Sequence, residues 1–463
     1  MSDTLEIRAP WDGRLLGNMP VSTEAEIESA LSAAHAVYRD RRRWVPKIER
    51  VAILRRAAAI AKGRREALAL QVASESGKPL RDALIEIDRG IDGIELCVET
   101  LRTEGGHVIP MDLNATSQGR VAFTQMEPIG VVLGLAAFNH PFNLVIHQAA
   151  PAVAAGAPVI VKPSPKTPLS CRAVVEIFHE AGLPLDWAQM VLPVDMGVIG
   201  RMVSDPRVAF LSFIGSAAVG WKLRSMLAPG ARCALEHGGV APVIVAADAD
   251  LSQAIPRLGR AGFWHAGQAC VSVQRVFCER SILDDLTAGL SAVADRMVIG
   301  DPTRSETEVG PIITHAEADR IGSWVDASGA KVATGGKRLS PSTYANTVLV
   351  NPDPMANVSR REVFGPVVCI YPYDDIDAAI AQANDLPFSF QAAVFSRNID
   401  TAMHCFRHLD GTAVMVNEHP LFRVDWMPFA GARQSGLGVG GIPHSIRDMQ
   451  TEKMMVWRSD ALN

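Results

Sequence analysis

Cys270 and Glu236 are the two residues from which chemistry can be read first. Cys270 closes the stretch Trp264-His265-Ala266-Gly267-Gln268-Ala269-Cys270, and Glu236 opens the turn Glu236-His237-Gly238-Gly239. The thiolate is the nucleophilic form of cysteine, and a carboxylate can serve as a general base. A thiol, a carboxylate and a nucleotide-binding apparatus in one chain point to redox chemistry through a covalent thioester.

Two segments supply nucleotide signals. Residues 208–213 form an apolar run with strand character, and Ile214-Gly215-Ser216-Ala217-Ala218-Val219-Gly220 then enters a helix. Glycine lets the backbone approach a ligand, and free N–H groups at a helix start hold a phosphate. The run 158–161 ends in Lys162-Pro163-Ser164-Pro165-Lys166, which puts a lysine at the carboxyl end of a strand, where doubly wound folds bind ligands. Two other motifs are set aside. Gly436-Leu437-Gly438-Val439-Gly440-Gly441 satisfies GxGxxG but follows no strand and opens no βαβ unit, so it reads as a loop. In the segment from Gly215 to Lys222, Trp221 stands where a P-loop needs lysine.

The elements that must position these residues are legible in outline. A chain of 463 residues is too long for one core. Residues 23–102 read as helical, with one helix spanning 51–72, a break at Gly77-Lys78-Pro79 and a second helix beyond. From Gly130 onward, short apolar runs at 130–138, 158–162, 208–213 and 243–246 alternate with helical stretches such as 169–181. A second series includes 363–370 and 392–396. This pattern predicts an α/β protein with two doubly wound domains. The segment 105–127 reads as a projecting hairpin. It and the apolar tail Met454-Met455-Val456-Trp457 lack an obvious core, which favours pairing between subunits.

Composition excludes several classes. The net charge is −5, and apart from Arg41-Arg42-Arg43 the basic residues are scattered, which argues against a nucleic-acid partner. Seven cysteines at irregular spacing, with no CxxC pair, fit a reducing compartment and no structural zinc. No signal peptide or apolar run of membrane-spanning length is expected, so the cytoplasm is the default. His404 and His408 lie four apart, but no third ligand accompanies them, and no metal is expected.

Taken in order, eight motifs resemble those of the aldehyde dehydrogenase superfamily across nearly the whole chain. They are Glu127-Pro128-Ile129-Gly130-Val131, Phe138-Asn139-His140-Pro141, Lys162-Pro163-Ser164, Gly215-Ser216-Ala217-Ala218-Val219-Gly220, Leu235-Glu236-His237-Gly238-Gly239, Gly267-Gln268-Ala269-Cys270, Glu362-Val363-Phe364-Gly365-Pro366 and Pro428-Phe429-Ala430-Gly431. The resemblance implies a Rossmann-like cofactor domain (1–107 and 128–238), a catalytic domain (239–437) and a small β oligomerisation element (108–127 and 438–463). It implies that Cys270 is the nucleophile, Glu236 the base for the deacylating water and Asn139 a donor to the oxyanion. For NAD or NADP it implies contacts from Ala136, Phe138, Lys162, Ser164, Pro165, Lys166, Gly215, Ser216, Val219, Gly238, Glu362 and Phe364. A homodimer or homotetramer is the implied assembly.

Two departures and one subgroup likeness refine this. Pro165 and Lys166 follow Lys162-Pro163-Ser164, where many NAD-selective members carry a glutamate, so the repulsion of a 2′-phosphate is absent and NADP is expected alongside NAD. His237 stands where leucine is commoner in the family, with its role left open between perturbing Glu236 and filling space. Glu418-His419-Pro420-Leu421-Phe422-Arg423-Val424-Asp425-Trp426 resembles a subgroup that includes phosphonoacetaldehyde dehydrogenases. Arg423, with Arg89 and His140, suits a small anionic aldehyde, although Ala269 before the cysteine adds no cation and Arg423 paired with Asp425 is an equal alternative. Two other functions stay open: a CoA-acylating relative, against which Glu236 argues, and a catalytically silent binding protein on the same fold.

Overall fold

The computed structural model describes residues 4–462. Its centre is a parallel sheet built from the apolar runs. The strands stand in the order Arg232–Glu236, Val208–Ile214, Val131–Leu135, Val159–Lys162, Ala188–Met190, all parallel. Every residue of Val131–Leu135 is buried, as a strand covered on both faces requires. Helices Asn143–Ala155 and Pro168–Glu180 cover one side, and Glu24–Arg39 with Met196–Ser204 packs against the other. The first and fourth of these strands in the chain, Val131–Leu135 and Val208–Ile214, are neighbours. Strand order therefore reverses there, and that crevice is where doubly wound sheets bind ligands.

A second sheet has seven strands in the order Lys331–Thr334, Thr347–Val350, Val367–Tyr373, Arg275–Glu279, Pro242–Val245, Gln391–Phe395, Ala413–Val416. All neighbours are parallel except the first pair. It has its own core, distinct from that of the first sheet. The α/β class with two wound sheets expected from the sequence is therefore the fold.

Two local expectations are corrected, and the hairpin and tail are found on one another. The helix read over 51–72 is two helices, Lys47–Gly63 and Arg65–Ser76, separated at Arg64 (φ −114°, ψ 13°). Glycine is a poor helix former, and the apolar periodicity runs through the break because both halves bury the same face. The hairpin and tail pair within the chain: Gln450–Arg458 runs antiparallel to Arg120–Pro128, which also pairs with Val108–Ile109. Finally, Gly436–Leu437 is not loop but a short edge strand antiparallel to Leu235 and Glu236.

Candidate active site

The carboxyl ends of the first sheet converge on one cleft. Ala136, Phe138 and Asn139 follow Val131–Leu135, and Lys162, Ser164 and Pro165 end or follow Val159–Lys162. Gly215 and Ser216 follow Val208–Ile214, and Glu236 ends Arg232–Glu236. The second sheet contributes Cys270, Glu362, Phe364 and Arg423 from its connections. The cleft encloses about 1620 Å³ including its open mouth, enough for a dinucleotide and a small second molecule.

The cysteine turn is strained and tightly tied. After helix Leu251–Phe263, His265 and Ala266 take φ of 48° and 54°, and Gly267 takes 71°. A Cβ on Gly267 would stand 2.0 Å from the Gly365 carbonyl oxygen, so only glycine fits. Gln268, 1% exposed, locks the turn: Nε2 donates to the His265 and Pro311 carbonyls at 3.1 Å each, and Oε1 accepts from the Ile313 N–H at 2.9 Å. Its own carbonyl accepts from Asn139 Nδ2 at 3.0 Å. An amide NH₂ carries two N–H groups, so one remains for a substrate oxygen. The loop bearing Asn139 is fixed from behind, because Glu86 accepts from the Phe142 and Asn143 N–H groups at 2.9 and 3.1 Å and pairs with buried Lys78.

Electrostatics set the state of these groups. Burial, then the Glu362 carboxylate, push the Cys270 thiol up to about 12, with Glu236 adding to the rise and Arg423 opposing it. Burial also pushes the Glu362 carboxyl up to about 8, against Arg320 and the Gly239 N–H. Lys162 is drawn down to about 8 by burial. Burial, helped by Lys78 and Arg89, keeps His140 neutral, stacked on Trp264 at 5.1 Å.

A dinucleotide fits the groups present. Glu362 Oε1 is buried without a hydrogen-bond partner, and a Cβ on Gly238 would stand 1.7 Å from that oxygen. Ser216 is the N-cap of helix Ala217–Arg224 yet its hydroxyl makes no cap bond, leaving it free for a ligand.

At the mouth, Asp425 is 2% exposed and already committed. Arg89 donates to it twice, at 3.0 and 2.6 Å, and His147 Nε2 lies 3.0 Å from Oδ1. Burial opposes ionisation of Asp425, but His147 and Arg89 outweigh it and hold the carboxyl well below the usual range. Arg423 stands beside it, Nε 3.6 Å from Oδ1 and without a hydrogen-bond partner, its guanidinium 3.7 Å over the Phe429 ring.

Of the residues singled out in the sequence, Lys166 and Val219 do not line the cleft. Lys166 is exposed, its N–H bonded to Ser164 Oγ, and Val219 packs on the core of the first sheet. Phe364, at φ 49°, meets Phe138 edge to face at 5.8 Å. Sequence reasoning did not single out Glu317, Arg320 and Trp324, which line the cleft from helix His315–Asp326. Arg320 donates to Glu317 and the Val363 carbonyl at 2.7 Å each, and nothing local in the helix pattern marks it.

Comparison with known proteins finds similarity over nearly the whole chain. The model of the aldehyde dehydrogenase family matches residues 1–455. A 3-sulfolactaldehyde dehydrogenase from Priestia megaterium is 33% identical over 459 residues, covering 98% of this chain and 95% of that protein. Aldehyde dehydrogenase 21 from Physcomitrella patens, solved with the reaction product succinate, is 32% identical with a TM-score of 0.94, covering 99% and 95% of the two chains. Glyceraldehyde-3-phosphate dehydrogenase from Methanocaldococcus jannaschii, solved with NADP, is 30% identical with a TM-score of 0.93, covering 99% and 100%.

Proposed function

The chain belongs to the aldehyde dehydrogenase family, an NAD(P)-dependent oxidoreductase of small aldehydes, and from that premise we propose that its substrate is a small anionic aldehyde oxidised through a thioester on Cys270. The observation that carries the substrate class is Arg423. Its guanidinium lines the cleft beside the thiol; of the carboxylates that act on it, Glu236 lies in the same cleft, and Asp425, 3.6 Å from its Nε, is already bonded to Arg89 and His147. Arg423 Nε is buried without a hydrogen-bond partner, and a carboxylate, sulfonate or phosphonate group would satisfy it through a charge-assisted bond. The three relatives act on, or yield, molecules bearing sulfonate, carboxylate and phosphate.

An aldehyde has no leaving group, so hydride can depart only once the carbonyl carbon is tetrahedral. The Cys270 thiol, pushed toward its protonated form by burial, gives its proton to water in the open cleft as sulfur adds to that carbon. The second Asn139 N–H and the Cys270 backbone N–H stabilise the resulting oxyanion; one such donor is worth about 10²–10³ in rate. Lys162, Glu362, Gly215 and Ser216 would hold a dinucleotide, whose nicotinamide would supply the hydride acceptor. Glu236 then takes a proton from water, which attacks the thioester and releases the carboxylic acid. Pro165 and exposed Lys166 leave room for a 2′-phosphate, so NADP serves as well as NAD.

The two large sheets, and the three-stranded sheet of Val108–Ile109, Arg120–Pro128 and Gln450–Arg458, support the division into 1–107 with 128–238, 239–437, and 108–127 with 438–463, with Gly436–Leu437 crossing to the first sheet. The outer strand Gln450–Arg458 exposes Met454, Met455, Val456 and Trp457, which supports pairing with a second copy into a dimer or tetramer. Light scattering reads that directly.

The test is a matrix of sulfonate, phosphonate, carboxylate and neutral aldehydes against NAD and NADP, with Cys270→Ala as control. Anionic aldehydes should exceed neutral ones of equal length at least about tenfold in kcat/KM. Equal turnover would defeat the anionic reading, acyl-CoA as product would favour the CoA-acylating one, and no reduced cofactor across the panel would favour a silent protein. A preference for NAD above about a hundredfold would remove the NADP reading.

A further inference from the structure

His237 occupies a family leucine position, and its imidazole is buried, 2% exposed. Nδ1 lies 2.9 Å from the Gly215 carbonyl oxygen. A carbonyl only accepts, so Nδ1 carries the proton and Nε2 is the bare nitrogen. Nε2 has no partner, which suits a ring that burial keeps neutral. Phe213 and Trp221 meet the ring edge-on at 5.6 and 5.9 Å. Gly220 makes the room, since a Cβ there would stand 2.0 Å from Cε1 of the ring. Trp221 is itself held by the Gln434 carbonyl at 3.2 Å, and the His237 backbone N–H donates to Ser435 at 3.0 Å.

These contacts clamp Gly215 on both sides. Its N–H donates to the Glu236 carbonyl at 3.0 Å, and its own carbonyl receives the His237 Nδ1–H. A leucine at 237 keeps the first bond and loses the second. The Gly215–Ser216 peptide opens helix Ala217–Arg224, whose first N–H groups have no acceptor within the helix. We propose that His237 is a positioning residue for the dinucleotide: by anchoring the Gly215 carbonyl it fixes the Gly215–Ser216 peptide and the donors beyond it, and it does not act on neighbouring Glu236. The inference rests on the dinucleotide reading of the cleft.

The experiment compares His237→Leu, His237→Ala and His237→Asn. Binding of NADH and NADPH is measured by fluorescence titration, and KM and kcat are measured with an accepted aldehyde. His237→Leu and His237→Ala should weaken both dinucleotides about tenfold and raise the cofactor KM alike, with kcat at saturation falling less than about threefold. Asparagine places an amide N–H near the site of Nδ1, and His237→Asn should recover binding to within about threefold of the parent. If the leucine variant does not fold, the alanine–asparagine pair carries the same comparison. Unchanged binding in the leucine and alanine variants, no recovery by asparagine, or a loss confined to kcat and thioester hydrolysis would overturn the inference. So would a parent protein that binds neither dinucleotide. Dinucleotide binding without aldehyde oxidation would sink the proposed function and leave this inference standing.

Discussion

The turn that carries Cys270 departs from ordinary backbone geometry at three consecutive residues, His265 to Gly267, whereas the turn that carries Gly215 has no positive φ. The first follows a helix and is held by the side chain of Gln268 and by the Gly365 backbone. The second is a regular passage from strand to helix, held by its neighbour strand and by His237. The difference follows from what each would present in the proposed reaction. A sulfur that attacks carbon needs a direction set to a fraction of an ångström, and strain locked by burial supplies it. A phosphate is satisfied by any well-placed helix start.

Paired glycine substitutions test that contrast most severely. Gly267→Ala drives a Cβ into backbone and should lower kcat about a hundredfold or more, if the protein folds. Gly215→Ala meets only the end of the Phe213 ring, at 2.8 Å, and should act on the dinucleotide KM by about tenfold. Equal losses in kcat would erase the distinction. A second test asks whether the strained turn also pre-ionises the thiol. With its pKa pushed up to about 12, the thiolate fraction is small and grows with pH. Iodoacetamide alkylation of Cys270 in the free protein should therefore accelerate about tenfold per unit between pH 7 and pH 9. A plateau below pH 8 would mean that Arg423 holds a thiolate instead.

Smaller effects separate the two ends of the cleft. Arg423→Ala should raise KM for anionic aldehydes about thirtyfold and shift neutral ones less than about threefold, the loss of a charge-assisted bond. Pro165→Glu should lower kcat/KM with NADP about tenfold and leave NAD near its parent value. A change at the opposite end in either case would show that the two halves are coupled.

Much of this was legible because it is local. Fully apolar runs such as Val131–Leu135 mark buried parallel strands whatever surrounds them, and Lys162, Gly215 and Glu236 are marked by standing where such runs end. The division of the long N-terminal helix at Arg64 was not, because apolar spacing continues across it. Nor was the fate of Asp425, which pairs with Arg89 across a sequence separation of 336. Periodicity carries no information about such partners, and without it the charge left on Arg423 cannot be counted. Arg320 was hidden for the same reason: its neighbours Glu317 and Trp324 share its helix, but Glu362, which gives the cluster meaning, comes from another loop.

The short strand Gly436–Leu437 has a consequence for anyone re-engineering this scaffold. It joins the mouth segment to the very strand that ends in Glu236, and Gly440, bonded both ways to Phe429, stands against the Glu236 carboxylate. Loop transplantation confined to the mouth would therefore disturb the alignment of Glu236, the proposed base. A swap intended to change what is oxidised should carry the closing strand with it, as one exchangeable cassette.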